Sequence, residues 1–211
     1  TFTEGQFIDN DIYRIEYAGE RWEASAGNIM QLTDFVMDGY GASIAHKWNG
    51  ENNKVGIYSL LKSRTGNSRL VGGDGNFLLK GKINLLEAVV ANFDYDKQLN
   101  SYMVKQDAYT KIGNEMELRL LTGIGMEERT GRLVGNTKKS QAGTSVGYNF
   151  NWNGKYVNIL SNAMLNSNAY PGVFKGQRSQ NHDVRGIYDR YFLGGFYEYN
   201  LRKQNIYTDT L

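Results

Sequence analysis

The chain is predicted to be all-β, an antiparallel meander of long amphipathic strands. Three observations predict it. Apolar and polar residues alternate with period two along most segments, the pattern of a strand with one apolar face. Gly (25), Tyr (15) and many Asn dominate the composition, the residues of positive-φ turns and of strands. No sustained row of Ala, Leu and Glu at helical spacing interrupts them.

Taken in order, DIYRIEYAG (11–19) sets Tyr13, Ile15 and Tyr17 against Arg14 and Glu16. ERWEASAG (20–27) sets Trp22, Ala24 and Ala26 against Glu23 and Ser25. The stretch 27–48, GNIMQLTDFVMDGYGASIAHKW, is apolar without a period in its first half and alternates in its second. Gly39 and Gly41 flank Tyr40 between the halves and are expected to turn the chain tightly into a strand. GASIAHKW (41–48) and KVGIYSLLKSR (54–64) follow, joined by the polar turn NGENN. Further on, Met116, Leu118 and Leu120 oppose Glu115, Glu117 and Arg119.

The clearest signal is TSVGYNFNWNGKYVNILSNAML (144–165). Val146, Tyr148, Phe150 and Trp152 share one face, and Ser145, Gly147, Asn149 and Asn151 the other. Asn153-Gly154 is expected to form a two-residue hairpin turn with Lys155 opposite Trp152. Val157, Ile159, Ser161 and Ala163 then continue the apolar face, and Tyr156, Asn158 and Asn162 the polar one. The last segment, 183–207, is rich in aromatics and charges. Gly-rich polar stretches at 65–76, 126–141 and 167–183 read as loops. Ten to twelve strands and one domain, 1–211, are expected.

The bulk numbers exclude several classes. Twenty-four basic and 22 acidic residues leave a net charge of +2 with no basic block, so no nucleic-acid partner is expected. Without cysteine there is no disulfide or thiolate metal site. The opening TFTEGQF lacks the basic start and apolar core of a leader, so the numbering is expected to begin on a processed chain or an internal piece.

Alternation fits two architectures. A soluble sandwich gathers its apolar faces inside; an outer-membrane barrel turns them out to lipid around a polar lumen. Strands of about 9–11 residues match a tilted bilayer crossing. Small and polar residues fill one face, aromatics (Trp22, Trp48, Trp152, Tyr170) recur near strand ends, and long loops contrast with tight turns. These favour the barrel, with Arg14, Glu16, Glu115, Glu117, Arg119, Asn149, Asn151 and Asn158 lining its lumen. The alternative is a soluble all-β carbohydrate-binding module using Trp and Tyr platforms.

Within 22–48, Gly27-Asn28 at a strand end, Phe35 in a short linker and Gly39-Tyr40-Gly41-Ala42 opening the next strand resemble a segment of outer-membrane usher barrels. The same style occurs in the large barrels of the type 9 secretion translocon of Bacteroidetes, and NAYPGVFKG (168–176) has the look of an extracellular loop in such proteins. The resemblance covers about 27 residues well. It implies a non-enzymatic pore, or part of one, in the outer membrane of a Gram-negative bacterium, passing polypeptide or, failing that, solute. Its partners would be lipid, the cargo and further protein subunits.

Chemistry-bearing residues are few. His46 shares a face with Ala42 and Ile44 and reads as a packed or interfacial ring. His182-Asp183 is the one place where a general base could sit beside a carboxylate, in what reads as a loop. Asn92, Asp94 and Asp96 place oxygens on one strand face, too few for a cation site. No catalytic residue, metal or cofactor is expected.

Overall fold

The computed structural model describes residues 13–32, 35–48, 53–62, 67–131, 139–172, 174–188 and 191–202. They form twelve strands: β1 (Arg14–Ala18), β2 (Trp22–Leu32), β3 (Val36–Trp48), β4 (Asn53–Lys62), β5 (Ser68–Leu79), β6 (Ile83–Asp94), β7 (Leu99–Ile112), β8 (Met116–Arg129), β9 (Ser140–Asn153), β10 (Val157–Asn166), β11 (Gln177–Tyr188) and β12 (Tyr191–Arg202). Each pairs antiparallel with its neighbours in chain order, so the fold is one all-β meander sheet, open between β1 and β12.

The expected faces hold, and several cross-strand pairs match like with like. Ser25 lies opposite Ser43, Ala24 opposite Ile44, Val89 opposite Val104, and Arg119 opposite Asn149. Because the sheet is a single layer, its burial must come from curling. Ile29 of β2, Tyr58 and Leu60 of β4, Leu70 of β5, Val90 of β6 and Met103 of β7 all enter one cluster, with Leu60 and Leu70 at 0 % exposure. The face carrying them is therefore the inner one. The opposite face leaves Ile15, Ile44, Ile57, Val89, Leu120, Ile124, Val146 and Val184 exposed, Ile124 by 62 %.

The connections are unequal at the two ends. Among the described residues, the turns 19–21, 80–82, 113–115 and 154–156 lie at one end, and 95–98, 167–172 and 174–176 at the other. The first set joins neighbouring strands through three residues each. Lys80 (φ 49°) and Gly81 (φ 67°) supply the consecutive left-handed residues of a mirror-image hairpin turn, closed by Lys82 N donating to Leu79 O at 3.0 Å.

Several expected boundaries move. Asn153-Gly154 is not a two-residue turn: Asn153 N donates to Glu115 O at 2.8 Å, which extends β9, and Gly154 N donates to Val157 O at 3.0 Å. Trp152 consequently faces Ile159, not Lys155. The slip is an even number of residues, so each side chain keeps its face. Gly39 and Gly41 do not turn the chain either; both sit inside β3, with Gly41 opposite Leu60. A Cβ on Gly41 would run into Ser59 O, so the residue lets two strands approach. β2 runs on to Leu32 and β3 begins at Val36, so the aperiodic NIMQL belongs to β2. Most of 65–76, read as a loop, is β5, and residues 177–183 of the stretch 167–183, also read as a loop, belong to β11.

Candidate functional site: the inner face

Position along a strand decides which side chains reach the inner face, and pairing decides which meet there. One row of cross-strand neighbours runs Asn84 (β6), Tyr109 (β7), Arg119 (β8), Asn149 (β9), Asn162 (β10), Asn181 (β11). Asn76, Leu86 and Glu117 come from adjacent rows. With Asn84, Tyr109, Arg119 and Asn149 they line a cavity of about 440 Å³ towards the short-turn end.

The charges around this cavity are mutually satisfied. Arg119 Nε donates to both Asp107 carboxylate oxygens at 2.8 Å, and its Nη2 also donates to Asp107. Asp107 is 4 % exposed, so the guanidinium is what keeps a buried carboxylate tolerable. Lys111 Nζ sits 3.1 Å from Glu117. Farther round, Glu23 accepts from Lys47 at 2.9 Å and from Lys54 at 2.5 Å, and Arg185 pairs with Asp183. These pairs all lie on the inner face.

The long-loop end of the same face is dry. The 167–176 connection folds back over it, and Tyr170 and Pro171 are buried there. Tyr170 OH donates to Met103 Sδ at 3.1 Å. Gly123, Gly125 and Gly143 form the seat: a Cβ on Gly125 would strike the Pro171 ring, and one on Gly143 the Tyr170 backbone. Asn166 Nδ2 donates to Phe174 O at 3.0 Å, Thr144 N to Ser167 Oγ at 2.9 Å, and Lys175 pairs with Glu127. The belt position expected for Tyr170 is therefore replaced by a plug-like one, and NAYPGVFKG turns inward rather than standing free.

Of the expected lumen residues, Arg14, Glu16, Glu117, Arg119, Asn149, Asn151 and Asn158 fall on inner-face rows. Arg14 and Glu16 pair with each other far from the cavity. Glu115 does not join them: it lies in the 113–115 turn and accepts from Trp152 Nε1 at 3.4 Å. Asp107, Tyr109, Asn76 and Asn84 join the site without a local signal in the sequence. In QDAYTKI the apolar partners of Asp107 and Tyr109 are Ala and Thr, too weak to mark a two-faced strand.

His182 and Asp183 cannot cooperate, because consecutive strand residues point to opposite faces. Asp183 is inner and paired with Arg185; His182 is outer, where Nδ1 lies 2.8 Å from Ser161 Oγ, itself 3.0 Å from Tyr148 OH, and its ring stacks on Tyr197 at 6.0 Å. His46 lies between Trp22 (4.5 Å) and Trp48 (5.9 Å) on the same outer face. Asp94 accepts from Lys97 N and so caps its turn, while Asp96 accepts from Asn67 N, just before β5. No metal-holding group of acidic or His residues occurs among the described residues.

Comparison with known protein families, curated proteins and solved structures finds no match to this chain.

Proposed function

We propose that this chain forms wall of an outer-membrane β-barrel through which a polar cargo passes, in a Gram-negative bacterium. The observation that carries the reading is the inversion of polarity: aliphatic side chains stand exposed on the outer face, while ion pairs and amides occupy the curled-in face. Water favours the reverse arrangement; lipid favours this one. The outer aromatics support it. Trp22, His46, Trp48 and Phe77 form a chain of rings at the short-turn end, and Tyr102 meets Phe93 edge-on near the other. Several polar groups on the outer face are paired, which lowers their cost in hydrocarbon: Gln106 donates to Glu87 at 3.0 Å, and Tyr148, Ser161 and His182 form one chain.

In hydrocarbon an open strand edge is not tolerated, so on this reading β1 and β12 pair with each other or with further wall strands. The resemblance to ushers and secretion translocons points to polypeptide as cargo. The inward 167–176 segment narrows the inner space and favours a small polar solute.

Tryptophan provides the test, since all three residues of the chain sit on the outer face at the short-turn end. In bilayers, brominated lipids should quench their emission, more strongly with bromines near the headgroup than at the acyl-chain end. A protein that stays monomeric without detergent and shows no quenching is the soluble binding module instead.

A further inference from the structure

We infer that the inner row Asn84–Tyr109–Arg119–Asn149–Asn162–Asn181 is a binding track for a neutral, hydroxyl-rich solute, of the saccharide class. The inference rests on the inner face being a water-filled passage. Four observations carry it. The row places a hydrogen-bonding group on each of six successive strands, so its members stand one strand spacing, roughly 4.8 Å, apart. Asparagine supplies a donor and an acceptor together, which is what a hydroxyl, also both, can satisfy.

The charges beside the row are already engaged. Asp107 takes Arg119 in a two-pronged contact and Glu117 takes Lys111, so the cavity balances its own charge and offers no free ion to a charged ligand. An ionic solute would have to break one of these pairs to gain a partner, which costs it affinity. An apolar solute fares no better, because Leu86 is the one aliphatic side chain in the lining among the described residues. The cavity, about 440 Å³, lies in the range of small-ligand sites.

The experiment titrates the full chain in detergent micelles with maltotriose, with an oligogalacturonate of equal length, and with tetraglycine, following heat by calorimetry. Maltotriose should bind saturably, and at least tenfold more tightly than either of the others. Asn149→Leu and Tyr109→Ala should each weaken it tenfold or more, while Ile124→Val on the outer face leaves it unchanged. Circular dichroism shows whether each variant keeps its strands; the two substitutions lie on different strands, so loss of one fold leaves the other to report. No saturable maltotriose binding overturns the inference, as does binding that both variants leave intact or tighter binding of the charged or peptide probe. Liposome permeation separates the two readings. Permeation of small solutes without saccharide binding keeps the passage and removes the track; saccharide binding without permeation removes the passage and overturns the track with it, leaving a closed saccharide site.

Discussion

The two ends of the inner face start from the same strand pattern and finish in opposite environments. Towards the long loops, Leu60, Leu70, Val90 and Met103 are dry and covered by Tyr170. Towards the short turns, Asn76, Asn84, Tyr109, Arg119 and Asn149 surround open space. The strands are continuous between the two. What differs is the connection above them: 167–176 reaches back to fill one end, and three-residue turns such as 80–82 and 113–115 cannot reach the other. A curled sheet can thus carry a packed core and a solvated site on one face, provided a loop seals the boundary.

Paired truncations should expose this contrast most strongly. Leu70→Ala removes a wholly buried side chain, and unfolding in detergent with guanidinium should show a loss of about 2–5 kcal/mol. If the dry end tolerates Leu70→Ala as an exposed position would, its packing is not what the burial implies. Next comes the wet end's own anchor. Asp107→Ala leaves Arg119, itself half-exposed, without its partner and should cost about 1.5–3 kcal/mol by the same measurement. Gly143→Val forces a side chain against the Tyr170 backbone and should cost about 1–3 kcal/mol. Its sharper readout is tryptic cleavage after Lys175, slow while that residue is held by Glu127 and fast once the segment is expelled. Smallest of all should be Leu86→Ala, about 0.5 kcal/mol, because the residue is already 42 % exposed beside the cavity.

Much of the fold was legible because the strand period is two. Met116, Leu118 and Leu120 had to oppose Glu117 and Arg119 whatever the neighbours were, and the structure keeps them so. The same rule explains a tolerance: an Asn153-Gly154 hairpin with the wrong register still assigns Ile159 and Asn158 to the right faces, since the slip is even. Turn residues were less informative. Gly39 and Gly41 have the composition of a turn but lie inside β3, and Gly41 has the role of a close strand contact set by the neighbouring β4 backbone. Likewise His182-Asp183 looks like a pair only until β11 sends the two side chains to opposite sides. The partners that matter, Ser161 for His182 and Asp107 for Arg119, are 21 and 12 residues away.

By itself, then, the amino-acid order determined that the chain is all-β and which side chains share a face, because alternation is a local property of an extended backbone. Tertiary structure alone decided which part of the polar face is dry, where Tyr170 goes and which charges meet. Those outcomes depend on register, on the curl of the sheet and on one returning loop, and each is set by contacts between residues distant in the chain.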